Sequence, residues 1–280
     1  MLLDSYLNNL DVDGDISTFR LRDGGSSILC PHCWIYRSCG MRNVSVLLRI
    51  YGVHPTSQGS HILTTLTSLT SQPVIHAIAR KNLSASSTNL RPIIETDSSR
   101  WSESVKALSP PPNVFISALG TTKAQAGSIE AQRKIDYDLN LSLAQAAKDA
   151  GIQVYVLISS DAVSRKSMFP YSRMKAELED AVQSLDFPHT VILKPGLLVG
   201  TRSESRPAEA AIRGIAKGLR SISKSLTDFW AQDADVIGKA AVAASVQCIE
   251  GKREKGTWVI SQSEIIRLGR TEWKANGGAS

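Results

Sequence analysis

The chain has 280 residues, 42% of them hydrophobic, which suits one large domain or one domain with a tail. No stretch approaches the ~20 apolar residues of a membrane-spanning helix. Net charge is +6, but the 32 basic residues are scattered, and no basic run or aromatic-interleaved stripe points to nucleic acid as a partner.

Residues 1–27 have weak periodicity and many Asp, Ser and Gly, and read as a flexible tail. The first twenty residues set Asp4, Asp11, Asp13 and Asp15 against Arg20 alone, unlike a cleaved, Arg-rich mitochondrial presequence. Cys30-Pro-His-Cys33, with Cys39, resembles half of a zinc site, but no second pair completes it, so no metal is expected. Val44 to Tyr51 passes for a strand.

From Gly59 onward the pattern is regular. Ser60 to Leu69 is a helix candidate, with a serine cap and apolar residues at 62, 63, 66 and 69. Val74–Ala79 is a strand. Residues 82–100 are rich in Ser, Thr and Asn and read as loop, with a short strand at 92–94. Val114–Ala118 is a buried strand. A helix runs from Ile135 to Ala150 and stops at Gly151. Val154–Ser159 is a second buried strand, Tyr171–Leu185 a helix, and Thr190–Leu193 a strand. Ala208–Gly218 and Ala234–Glu250 look helical, and Thr257–Ile260 is a late strand. Strands alternating with helices argue for an α/β fold, a parallel sheet covered on both faces. The expected division is a tail over 1–43, one domain over 44–275 whose first stretch, 44–58, is atypical, and a short tail over 276–280.

Chemistry concentrates where strands end. Tyr171 and Lys175 stand four apart on a helix, so they share a face. A tyrosine is a poor base at neutral pH, and a neighbouring ammonium favours its phenolate. Tyr171 is therefore the candidate general acid or base for a carbonyl reaction. Lys175 is its activator and a hold for a cofactor ribose. Ser160, or its neighbour Ser159, is the candidate hydrogen-bond partner of the substrate oxygen. Ala118, Leu119 and Gly120 close the strand at 114–118, where small residues permit close approach of a cofactor. Pro195 and Gly196 follow the strand at 190–193 as a turn. Arg80 and Lys81 follow the strand at 74–79, where a basic residue accommodates the 2′-phosphate of NADP in place of the acidic residue that binds the free ribose of NAD.

The Tyr/Ser/Lys set resembles the apparatus of short-chain dehydrogenases, in whose relatives a Pro-Gly such as Pro195-Gly196 lets the backbone approach the nicotinamide. Four longer stretches, Ser117–Gly127, Ala131–Leu141, Ser205–Ala210 and Arg267–Trp273, are similar to the fungal "found in mitochondrial proteome" protein 52 family. That family is short-chain-dehydrogenase-like and akin to the animal Tat-interacting protein of thirty kilodaltons. The resemblance covers about 59–275. It implies a Rossmann-like doubly wound sheet, NAD(P) binding and peripheral association with the mitochondrial outer membrane. The expected activity is that of an NAD(P)-dependent oxidoreductase acting on an unknown small molecule. The alternative is a cofactor-binding regulatory or scaffold protein with little turnover.

The departure is at the N-terminus. Family members run from a first strand through Gly-Ser-Thr-Gly-Leu-Val-Gly into Ser-His-Ile-Leu. Here Ser60-His-Ile-Leu63 is present, but Gly52 and Gly59 bracket Val-His-Pro-Thr-Ser-Gln, with no middle glycine. Cofactor binding is therefore expected to be weakened, with Gly59 the remaining glycine of the turn and Pro55 and His54 obstructing the pyrophosphate. One allowed choice of codons for Cys30–Gly40, read one base later and into the codon of Met41, also encodes Ala-Leu-Thr-Ala-Gly-Ser-Thr-Gly-Leu-Val-Gly. The expectation is that residues 1–40 are read out of frame and about 41–58 are translated intron. A transcript retaining every base between the codons for Cys30 and Ser60 would contradict it.

Overall fold

A computed structural model describes residues 45–50, 58–161, 163–198, 231–232 and 234–275. Strand β1 (Ser45–Ile50) leads to α1 (Gln58–Thr67), β2 (Val74–Ala79), β3 (Leu90–Ile94), α2 (Trp101–Lys106) and β4 (Val114–Ala118). Two short helices, α3 (Lys123–Ala126) and α4 (Ile129–Arg133), precede a π-helical stretch, Lys134–Leu139, and α5 (Asn140–Asp149). Then come β5 (Val154–Ile158), α6 (Pro170–Gln183), β6 (His189–Leu193), β7 (Leu197–Leu198) and β8 (Ala231–Gln232). The chain closes with α7 (Ala234–Ile249), β9 (Gly256–Ile260), α8 (Gln262–Ile266), a second π-helical stretch, Arg267–Thr271, and α9 (Glu272–Ala275).

Seven of these strands form one sheet in the order β3-β2-β1-β4-β5-β6-β9, every neighbour parallel. β1 takes the central slot. Its Val46 and Leu48 pair with Ile75 and Ala77 of β2 on one side, and with Val114 and Ile116 of β4 on the other. From β1 the chain works outward to β3, then returns across β1 to β4. The sheet therefore has its topological switch point between β1 and β4, where ligand crevices form at the carboxyl ends of strands.

Alternation along the central strands feeds two cores. Val114, Ile116, Val154, Val156 and Ile158 pack with α1 and α7 on one face. Phe115, Tyr155 and Leu157 pack with Trp101, Leu143, Ala147 and Leu178 from α2, α5 and α6 on the other. Phe115, Tyr155 and Phe187 stack in series, with ring centroids 5.3 and 5.0 Å apart. Pro92 is accommodated because β3 is an edge strand.

The expected helix over Ile135–Ala150 is corrected. Helical structure begins at Ile129 behind a Ser128 cap and passes through the π-helical stretch before α5. Its expected stop holds, since Gly151 lies at φ +82°. The expected cysteine cluster at 30–39, the helix at 208–218, the terminal tail at 276–280 and the loop carrying His54 and Pro55 lie outside the described residues. Among the described residues, no helix is long and apolar enough to cross a membrane.

Candidate active site

Because the main sheet is all parallel, the carboxyl ends of its strands share one edge, which gathers most of the residues singled out from the sequence. β2 delivers Arg80 and Lys81, both exposed. β4 delivers Ala118, Leu119 and Gly120, with Leu119 buried. β5 delivers Ser159 and Ser160, and β6 delivers Lys194, Pro195 and Gly196. Gly59 is buried in the first turn of α1, the helix that follows the central strand.

Helix α6 starts with Pro170 at its first position, where the missing N–H costs nothing. Tyr171 and Lys175 follow one turn apart. Tyr171 is 44% exposed, whereas Lys175 is only 4% exposed. The Lys175 Nζ donates to the Ile158 carbonyl at 3.5 Å, at the end of β5. On the side of β4 it lies 4.0 Å from where a β-carbon on Gly120 would stand. The ammonium thus sits in the angle between the ends of β4 and β5, with the phenol outward of it along α6.

The two serines differ. Ser159 donates to Glu179 Oε1 at 2.5 Å, and Glu179 Oε2 is ion-paired with Lys194 Nζ at 3.0 Å. Glu179 is itself buried. This contact ties α6 to the ends of β5 and β6 and occupies the Ser159 hydroxyl. Ser160 is half-buried at the same strand end. A β-carbon on Gly196 would stand 2.4 Å from Gln262 Oε1, the far end of a flexible side chain that can move aside.

Behind this edge lies a buried polar cluster that the sequence reading missed. Asp136 Oδ1 accepts from the Thr121 N–H at 2.6 Å, and its Oδ2 accepts from Gln132 Nε2 at 3.2 Å. Gln132 Nε2 also donates to the Thr121 carbonyl at 3.1 Å. Asn140 accepts from the Ser117 hydroxyl at 2.6 Å and donates to the carbonyls of Asp136 (3.1 Å) and Leu119 (3.4 Å). Burial pushes the Asp136 carboxyl above the usual range, and the Lys175 charge, with the Thr121 and Gln132 hydrogen bonds, pulls it partly back. Gln132, Asp136 and Asn140 recur every fourth residue. Three polar side chains in line on a helix otherwise built to face a core were the available signal.

The edge fits a dinucleotide in three respects. It flanks the switch point, it offers basic residues at the end of β2, and it sets an ammonium beside a turn with no side chain at Gly120.

A family model described as HIM1 matches residues 93–226. The mitochondrial protein fmp52 of Emericella nidulans is 48% identical over 219 residues, covering 76% of this chain and 94% of the relative. The mitochondrial protein fmp-52 of Neurospora crassa is 45% identical over 225 residues, covering 77% and 92%. Among solved structures, a short chain dehydrogenase family protein from Francisella tularensis aligns with a TM-score of 0.54 at 12% identity, over 79% of this chain and 98% of that one. WbmG of Bordetella bronchiseptica, solved in complex with NAD, aligns with a TM-score of 0.55 at 15% identity, over 84% and 79%. At these identities the structural likeness shows the fold, a Rossmann-like α/β sheet.

Proposed function

Because the chain belongs to the fmp52 family of fungal proteins, we propose that it is an NAD(P)-dependent oxidoreductase of atypical short-chain-dehydrogenase type. The observation that carries this reading is the pairing on α6 of an accessible Tyr171 with a buried Lys175, at the ends of β4 and β5. A bound nicotinamide would supply or accept the hydride. Tyr171 gives or takes the proton at the carbonyl oxygen of a small-molecule substrate, and Ser160 donates a hydrogen bond to that oxygen. Lys175 would hold a ribose hydroxyl of the cofactor, one helical turn from the phenol. Gly120, Pro195 and Gly196 leave the backbone open to the cofactor. Arg80 and Lys81 support a preference for NADP over NAD.

The relatives' names support a mitochondrial location. Peripheral contact with the outer membrane is proposed from the family resemblance. In this chain the cofactor site is proposed to be weakened. The residues before Gly59 lack the glycines that admit a pyrophosphate to the helix N-terminus.

The test compares the parent chain with Tyr171→Phe, first by NADPH fluorescence and then against a panel of aldehydes and ketones. Turnover is expected to fall about 100-fold or more with NADPH affinity little changed. Turnover unaffected by Tyr171→Phe would defeat the assignment. NADPH binding without any Tyr171-dependent turnover would favour a cofactor-sensing regulatory protein instead.

A further inference from the structure

The buried cluster behind the sheet edge contains a second ionisable group, which no step above uses. The π-helical stretch Lys134–Leu139 adds a residue to the helical turn, a distortion that concentrates at functional sites. Here it carries Asp136, 1% exposed, to the back of the turn that follows β4. That turn is held at its backbone by one helical face. Asp136 and Gln132 hold the N–H and carbonyl of Thr121, and Asn140 holds the carbonyl of Leu119. On the open side, Lys175 Nζ lies against Gly120, between those two residues. Among the described residues Lys175 Nζ has one long hydrogen bond, to a carbonyl, and a buried ammonium is costly without an opposite charge nearby.

We propose that Asp136 is a positioning residue for Lys175. Its carboxylate is the buried counter-charge of the ammonium, and the Leu119-Gly120-Thr121 turn is clamped between the two. The assignment rests on the reading of Lys175 as a site residue, but its test needs neither cofactor nor substrate.

Other charged and titratable groups of the described residues lie near Lys175. On α6, Glu179 is held by Lys194 from the end of β6 and by Ser159, and Glu177 is ion-paired with Arg133 of α4 at 2.7 Å. Tyr171, one turn before Lys175, opens to solvent. Tyr155 on β5 is fully buried, and burial drives its phenol far above its usual range, so it carries no charge. Among the described residues, Asp136 is the buried carboxylate not engaged by another cation.

The experiment is a carboxyl 13C NMR titration of the full chain, with the Asp136 signal identified by its loss in Asp136→Asn. In Lys175→Met the Asp136 midpoint is expected to move upward, because the charge that favours its ionised form is gone. In Lys175→Arg, which keeps the charge, it is expected to stay near the parent value. A merely structural Asp136 would not distinguish these two variants. Should Lys175→Met not fold, Lys175→Gln serves in its place. An Asp136 midpoint unchanged on removing the ammonium would overturn the proposal, whether or not NADPH binds.

Discussion

The Lys175 Nζ lies 4.0 Å from the point where a β-carbon would stand on Gly120. That distance is ordinary van der Waals contact, so Gly120→Ala should fold and bind NADPH nearly as the parent does. A longer side chain must instead enter the crevice over the ammonium. Gly120→Leu is expected to cut NADPH affinity at least about tenfold, roughly 1.4 kcal/mol, with little change in Tm. Fluorescence titration and thermal melts of both variants check this.

Ser159 and Ser160 should separate by phenotype. Ser159→Ala removes a hydrogen bond to the buried Glu179 carboxylate, and is expected to cost about 1.5–3 kcal/mol in urea unfolding. Ser160→Ala should leave stability within about 0.5 kcal/mol and lower turnover instead. Denaturation midpoints and initial rates on one carbonyl substrate read both effects.

Close packing of α7 makes a third prediction. A β-carbon on Gly269 would stand 2.1 Å from the Val236 carbonyl oxygen, a backbone atom that cannot swing aside. One on Gly238 would stand 3.2 Å from the backbone of His61 and Ile62, a clash of a few tenths of an ångström. Gly269→Ala is expected to cost about 3 kcal/mol or more, and Gly238→Ala about 1 kcal/mol. The melting temperature should fall by about 2–4 °C for each kcal/mol.

Two histidines set an acid limit. Burial, then the charge of Arg91 directly across the β2–β3 pair, lowers the His76 pKa, and burial likewise lowers that of His189. A lowered folded-state pKa means the unfolded chain takes up more protons. The stability from neutral His76 is therefore fully present above the unfolded value of about 6.5, and is lost as pH falls through the folded one. Urea unfolding should show stability dropping as pH falls below about 6.5, and His76→Gln should flatten that slope.

Much of the scaffold was legible because strand signals in a parallel sheet are local. Val74–Ala79 and Val114–Ala118 are apolar runs bounded by turn residues, and both strands fall on those bounds. The Tyr171–Lys175 pair was legible because a spacing of four fixes a shared helix face wherever the helix packs. Glu179 reads as one more surface carboxylate on that helix. Only the tertiary contact with Ser159 and Lys194 makes it a buried tie, and only that contact separates Ser159 from Ser160. Asp136 was hidden in the same way. Its stretch was read as plain α-helix, and the fourfold spacing of Gln132, Asp136 and Asn140 gives no sign that a π-helical turn brings Asp136 to the Thr121 N–H.

The N-terminal segment presents the opposite case. Ser45–Ile50 fills the slot between β2 and β4 because it is apolar enough to pair there, and pairing does not require the glycines that should follow. Under the proposed function, cofactor affinity is expected to depend on them.

The most direct measurement is therefore an NADPH titration of two proteins, this chain and a version with a first strand ending in Ala-Leu-Thr-Ala-Gly-Ser-Thr-Gly-Leu-Val-Gly placed before Ser60. The glycine-bearing version is expected to bind NADPH at least about tenfold more tightly than this chain, and more tightly than it binds NADH. Failure of that version to bind either nucleotide would contradict the account at its centre. Equal affinities of the two proteins would show that the segment before Gly59 does not weaken the site.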